Sequence, residues 1–206
     1  SGFPSFESCA LSGPYPVATL DFADKRFPGT VKLNAFSPYL PMESRYSSMP
    51  VAMFEFTLSN TTDKAIDYTL FGCLGFEFRD PATVSVGNDG DRMALNGRSV
   101  SDPKSIHYSE LGISTDWAET SHQRHFFRGS WFDALEVYWQ DLNRPGPLKD
   151  RYYQDGATHR MSGSRAVAEH STLACHLTIA PGESKTVKVA IAWYVPNASK
   201  YWVSSS

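Results

Sequence analysis

No two acidic residues of this 206-residue chain form a pair whose sequence context indicates catalysis. Enzymes that use carboxyl groups as acid and base shift their pKa values by burial or by neighbouring charges. The candidates here have ordinary explanations on the wet face of a predicted strand, on a helix surface or in a turn. They are Glu55, Asp67, Asp89, Asp91, Asp133 and Glu136. Without a Ser-His-Asp order, a phosphate loop or a dinucleotide fingerprint, the sequence alone predicts no catalytic residue and no cofactor.

Histidines and cysteines give no metal site. His170 and His176 would point to the same face of one strand, but no third ligand lies nearby. Cys9, Cys73 and Cys175 are odd in number and far apart, which argues against a disulfide framework and a zinc motif. We predict three buried free thiols, with Cys175 fitting best because it falls on the apolar face of a strand.

Aromatic residues gather in one stretch whose secondary structure the sequence does not reveal. They are Trp117, His122, His125, Phe126 and Phe127. On an exposed loop such rings would stack on sugars, which makes Trp117 and His125 candidate carbohydrate-binding residues. The alternative is that these aromatic side chains belong to the core.

The overall charge points to no electrostatic partner. The chain has 19 Lys and Arg against 22 Asp and Glu, a net charge of -3, and no basic run. Nucleic acid and anionic membranes are therefore poor candidates as partners. No apolar run is long enough for a membrane span, and the chain begins without a signal-peptide pattern, so its compartment stays open. It also begins without Met, as a fragment of a longer protein would.

Two-residue alternation predicts antiparallel strands. In residues 51–60 one face carries Ala52, Phe54, Phe56 and Leu58, and after a polar turn the alternation resumes from residue 66. We read this as a hairpin. Residues 172–195 are read as a second one around the turn at 180–183, with Leu177 and Val187 at alternating apolar positions. Further strands at 15–22, 31–35 and 71–78 recur about ten residues apart. The spacing predicts one antiparallel β-sandwich over residues 1–206.

One helix and one long loop interrupt the strands. A helix over residues 130–142 has an apolar stripe that contains Trp131 and Trp139. It would lie across a sheet or against a neighbouring domain, ahead of the alternative that it is a sugar platform. Residues 38–50 contain three prolines and form a stiffened loop, which we interpret as a crossover or an interface ahead of a binding loop.

An ordered series of motifs spans most of the chain. The motifs are residues 12–18, 33–41, 47–54, 58–61, 131–137, 146–148, 177–184 and 192–196. Together they resemble the N-terminal domain of glycoside hydrolase family 116, the family of bile-acid β-glucosidase or non-lysosomal glucosylceramidase. The resemblance implies a supersandwich-like all-β fold with one amphipathic helix.

The resemblance also explains why no active site is visible. In the family, both catalytic carboxylates belong to a C-terminal (α/α)6 barrel, which would begin about where this chain ends. A Gly-rich segment that precedes the first motif in the family is missing too. The implied role is a non-catalytic domain whose partner is the catalytic domain of the same polypeptide, and the whole enzyme would act on a β-glucoside or glycolipid. Candidate interface residues are Tyr39, Arg45, Tyr46, Trp131 and Trp139.

Three rival functions stay open at this point. A stand-alone carbohydrate-binding module would need exposed aromatic residues near Trp117. A small self-contained hydrolase would turn over aryl β-glucosides. A pure protein-interaction domain is the third alternative.

Overall fold

The computed structural model describes residues 3–89, 92–128, 133–144, 146–153 and 169–199. These residues fold into two antiparallel sheets and two helices. In chain order the elements are β1 (Ser8–Ser12), β2 (Val17–Ala23), β3 (Thr30–Phe36), α1 (Ser44–Ser47), β4 (Val51–Ser59), β5 (Ile66–Phe76), β6 (Ala82–Asp89), β7 (Arg92–Ser99), β8 (Glu110–Thr115), β9 (Thr120–Gln123), α2 (Asp133–Leu142), β10 (Glu169–Ile179) and β11 (Ser184–Tyr194).

The two sheets differ greatly in size. The large sheet has eight strands in the order β1-β2-β3-β4-β11-β8-β7-β6, and the small sheet has three in the order β5-β10-β9. All the pairings are antiparallel. The chain is therefore an all-β antiparallel sandwich, as the strand spacing predicted.

Alternating apolar residues of both sheets make the core between them. One cluster joins Val31, Leu58 and Val187 of the large sheet to Tyr68 and Leu177 of the small sheet. A second cluster joins Leu95 and Ile113 to Leu173. The faces inferred from two-residue alternation were thus correct for β3, β4 and β10.

Both predicted hairpins are wrong. Strand β4 pairs with β3 and β11, whereas β5 pairs with β10 in the other sheet. The turn at residues 180–183 likewise takes the chain from β10 in the small sheet to β11 in the large one. Alternation fixes which side chains face the core, but it says nothing about which strand supplies the hydrogen bonds. Each turn is a crossover between sheets.

One asparagine joins the two crossovers. The side-chain Nδ2 of Asn60 donates to the carbonyl oxygens of Lys64 at 2.7 Å and Ile179 at 2.8 Å. Its backbone N–H donates to Glu183 O, and its carbonyl oxygen accepts from the N–H of Gly182, each at 3.0 Å. We call this arrangement the crossover latch. Asn60 also begins a glycosylation sequon, but only 1% of this residue is exposed. Its side-chain nitrogen is therefore inaccessible to glycosylation in the folded chain.

Helix α2 covers the outer face of the small sheet. The Thr172 hydroxyl donates to the hydroxyl oxygen of Tyr138 at 3.3 Å, and the ring of Phe126 stacks on Tyr138 with centroids 4.0 Å apart. Trp139 packs against Phe3. The prediction that the helix lies across a sheet is confirmed. The predicted helix start, together with Trp131, lies outside the described residues.

Other local expectations also need correction. Strands β6, β7 and β9 were not predicted, because their small and polar residues hide the alternation. Cys9 and Cys73 are exposed, and Cys175 alone is buried as predicted. The β5–β10 register is continuous, and the backbone of β5 at Gly72 lies close to a side chain of the large sheet. A Cβ atom at Gly72 would lie 2.6 Å from Ile113 Cδ1.

Candidate functional site

An apolar surface surrounds the long loop between β3 and β4. We call it the loop surface, and it consists of Tyr15, Tyr39, Leu40, Met42, Tyr46 and Met49, all of them exposed. Tyr15 is 80% exposed and Met42 is fully exposed. A cluster of large apolar side chains in water is typical of a surface that another protein element covers.

Backbone contacts hold the loop in one shape without burying its side chains. Ser47 Oγ accepts from Leu40 N at 3.0 Å and donates to Leu40 O at 2.9 Å. The rings of Tyr15 and Tyr39 meet edge to face at 5.3 Å. Helix α1, which carries Arg45, has no buried residue. The loop is therefore ordered by its own polar groups, while its apolar groups remain available.

The predicted interface residues divide between two places. Tyr39, Arg45 and Tyr46 are exposed on the loop. Trp139 is half-buried against Phe3, so much of its ring is used inside the chain. The contact predicted through α2 stays a prediction, as does the one through the loop, whose apolar groups are in solvent.

Trp117 has a structural role in the core. Its Nε1 donates to the carbonyl oxygen of His176 at 2.8 Å, and its ring packs against the cluster that contains Tyr68 and Leu177. The Lys185 Nζ lies 6.0 Å from the ring centroid. Because Trp117 is half-buried, a sugar-binding role for it stays a prediction.

His125 lies inside the protein. Only 2% of it is exposed, and its Nδ1 is 3.1 Å from Glu169 Oε2. The Tyr153 ring lies 5.6 Å from its own ring. This burial counts against stacking on a sugar from solvent. Trp117 packs on the cluster of Tyr68 and Leu177, whereas His125 lies beside Glu169 and Tyr153, so these contacts do not bring the two predicted sugar-binding residues together.

The sequence analysis missed a buried charge cluster around Glu169. This carboxylate, 5% exposed, lies 2.9 Å from Arg128, whose guanidinium also sits over the Tyr153 ring. Burial by itself would raise the pKa of Glu169, but the hydrogen bonds and charges of His125 and Arg128 outweigh it and lower the pKa. The partners are distant in sequence, which is why no local pattern revealed them.

A second buried group lies beside α2. Gln123, 1% exposed, donates from Nε2 to Asp141 Oδ2 at 2.9 Å, and Arg151 donates to the same oxygen at 3.0 Å. Gln123 Oε1 and Arg151 Nη1 are buried without a hydrogen-bond partner among the described residues, so this group is only partly paired. In the part of the chain that the structure describes, no group of three His, Cys, Asp or Glu could hold a metal ion. None of the described helices is long and apolar enough to cross a membrane.

The fold and these sites define an all-β antiparallel domain with exposed apolar residues around its long loop. A family model described as "beta-glucosidase 2, glycosyl-hydrolase family 116 N-term" matches residues 3–206. The chain therefore belongs to the family of glycoside hydrolase family 116 N-terminal domains. No curated protein sequence matches it significantly.

Solved structures share only a loose likeness with the chain. A protein assigned as a kojibiose phosphorylase, from human microbiome, has TM-score 0.39 and 12% identity over 86% of this chain and 17% of its own. A polysaccharide lyase has TM-score 0.40 and 10% identity over 92% of this chain and 22% of its own. A protein assigned as an aldose 1-epimerase, from Klebsiella pneumoniae, has TM-score 0.35 and 11% identity over 90% of this chain and 53% of its own. The chain thus spans about half or less of each, and scores this low define neither its fold nor its activity.

Proposed function

We propose that this chain is the non-catalytic N-terminal domain of a β-glucosidase-like or glucosylceramidase-like hydrolase. In this proposal it packs against a C-terminal (α/α)6 catalytic domain of the same polypeptide. The β-glucoside or glycolipid is the substrate of the whole enzyme, and the catalytic carboxylates lie outside this chain. Membership of the N-terminal domain family supports the domain assignment.

The loop surface is the observation that carries the docking part of the proposal. Burying a large apolar side chain contributes about 1.5–3 kcal/mol. Six such residues are exposed on the loop surface, where Tyr15 and Tyr39 are in contact, and the loop is already ordered by the Ser47 and Leu40 hydrogen bonds. An ordered loop loses little conformational entropy on docking, so most of that gain stabilises the contact.

Two measurements test the proposal in sequence. The first is the mass of the native polypeptide in its source cells, detected with an antibody against this chain. A mass several times 22.9 kDa is expected, and a mass near 22.9 kDa overturns the proposal. The second places a photo-reactive amino acid at Tyr39 or Tyr46 in the long polypeptide. Cross-links to the catalytic domain are expected from both positions.

Position 100 supplies the matched control. Val100 is 56% exposed and follows β7, which β11 and β8 separate from β4 in the large sheet. Cross-linking from position 100 with none from positions 39 and 46 contradicts docking through the loop surface. The double substitution Tyr39→Ser with Tyr46→Ser should lower the unfolding midpoint of the long polypeptide, whereas Val100→Ser should leave it unchanged.

A further inference from the structure

Strand β5 is a long edge that lacks the usual protection. Its eleven residues pair with β10 over their full length, and among the described residues no other strand pairs with β5. Proteins normally guard such edges with Pro, Lys, a bulge or a short strand. The sequence of β5 contains no Pro and no Lys, and its register carries no bulge. Asp67 is its one charged residue.

An apolar cavity opens beside this edge. It has a volume of about 140 Å³ and lies between the two sheets. The large sheet lines it with Phe54, Phe56, Ile113, Val189 and Ile191. The small sheet contributes the consecutive run of residues 70–73 of β5. Consecutive residues of a strand point to opposite faces, so a run of four can line one cavity only where the cavity reaches around the strand's edge.

The large sheet continues past β5 with its inner face uncovered. Along β11 the core-facing positions alternate from Val187 to Trp193. Val187 is 0% exposed, but Trp193 is 42% exposed. The small sheet therefore covers one end of β11 and leaves the other end in solvent. The uncovered apolar surface, the cavity and the free edge of β5 adjoin one another.

We infer that one more β-strand, supplied by the same polypeptide outside residues 1–206, pairs with β5 and places a large apolar side chain in the cavity. The source of the strand rests on the proposed function, in which the polypeptide is longer than this chain. The alternate backbone groups of β5 that face away from β10 pair with no other described strand, and such a row of groups selects an extended strand as its occupant. An apolar cavity of about 150 Å³ is large enough for a benzene ring, so a Leu, Ile or Phe side chain is the matching ligand.

A second copy of the chain fits this edge poorly. The incoming strand would extend the small sheet beyond β5, and the uncovered half of the large sheet already lies opposite that position. A copy that paired through its own β5 would have to place its own large sheet in that same layer. A strand without a large sheet attached beside it meets no such obstacle.

Hydrogen exchange of the long native polypeptide tests the inference. Strand β4 is the internal reference, because it is paired on both sides with β3 and β11. We expect peptides that cover residues 66–76 to be as fully protected as those that cover β4. In the chain of residues 1–206 alone, about five of the eleven β5 amides should exchange rapidly, since alternate amides of an edge strand face away from its partner. Protected β4 amides show that this chain is folded.

Each remaining outcome overturns the inference. If alternate β5 amides exchange rapidly in the long polypeptide too, no strand is added, and the proposed function survives if the loop cross-links form. If residues 1–206 alone protect β5 and have twice the expected mass by light scattering, a second copy is the occupant. A native polypeptide near 22.9 kDa overturns this inference and the proposed function together.

Discussion

The Asn60 side chain donates a hydrogen bond to the backbone carbonyl oxygen of Ile179, 119 residues further along the chain, at 2.8 Å. This contact connects the end of β4 to the end of β10, where the chain passes between sheets in each case. Asn60 Oδ1 also accepts from the N–H and the hydroxyl of Thr62 at 2.9 and 2.8 Å. The crossover latch thus satisfies every polar atom of a side chain that water does not reach.

Replacing Asn60 should destabilise the fold strongly. Asn60→Ala removes the side-chain bonds of the latch and leaves the Ile179 carbonyl and the Thr62 N–H without that partner, so we expect a loss of about 3 kcal/mol. Asn34→Ala is the matched control, because Asn34 makes one part-buried side-chain bond, with Thr19, and should cost about 1 kcal/mol. The free energy of unfolding in urea measures both. Equal losses for the two variants would show that the latch is not specially important.

The buried carboxylate of Glu169 should make stability depend on pH in the acid range. Its pKa in the folded chain lies below the ordinary value of 4.5. A group with a lowered folded pKa contributes stability above its unfolded pKa and loses that contribution as pH falls through the folded value. The contribution is therefore present at pH 7 and declines below about pH 4.5.

Glu169→Gln isolates this contribution. At pH 7 the variant should be less stable by about 3 kcal/mol, because His125 and Arg128 lose their buried partner charge. The difference from the native chain should narrow as the pH falls from 5 to 3. Glu55→Gln, on the outer face of β4, is the control and should leave the pH dependence unchanged. Urea unfolding at several pH values gives the comparison, and a difference that stays constant with pH would refute the assignment.

The three thiols should differ in reactivity. Cys9 is exposed and should react first with a disulfide reagent at pH 8. Cys73 is exposed as a residue, but burial raises the pKa of its thiol against the opposing effect of Tyr138 and Thr172, so it should react more slowly. Cys175 is 2% exposed, and burial raises its thiol pKa as well. It should react only after unfolding. Single Cys→Ser variants assign the phases, and rapid reaction of all three would contradict this order.

Trp117 should affect stability and not sugar binding. Trp117→Phe keeps an aromatic ring but removes the N–H that bonds to His176 O, which should cost about 1 kcal/mol. Retention on insoluble β-glucan should be the same for the native chain and for Trp117→Phe and Trp117→Ala. Retention by the native chain that Trp117→Ala abolishes, with its folding intact, would restore the carbohydrate-binding module.

The sequence predicted which side chains face the core better than it predicted which strands pair. Alternation in β4, β10 and β11 is a local property, and it correctly placed Leu58, Leu177 and Val187 in the core. Pairing depends on residues more than a hundred positions away, such as Ser184 opposite Ser59. A short turn between two alternating strands looks the same whether it closes a hairpin or crosses between sheets. Asn60 was the residue that could have indicated a crossover, since a buried polar residue at a strand end needs several backbone partners.

Only the part of the candidate site that lies in one continuous stretch of sequence, the long loop, could be predicted. Prolines and aromatic residues identified the loop that carries Tyr39 and Tyr46 before its exposure was known. The Glu169 cluster was missed because Glu169 lies 41 residues after Arg128, so no local pattern joins the partners. Charged residues are almost never fully buried unless paired, and the sequence does not show such a pairing in advance.

The position of β11 in the large sheet sets the order in which the domain can be made. Strands β4 and β8 are joined only through β11, the last described strand of the chain. During synthesis, the strands from β1 to β4 and from β6 to β8 leave the ribosome as two separate apolar surfaces. They become one sheet only after residue 194 has emerged, so these two surfaces stay exposed to aggregation until β11 arrives.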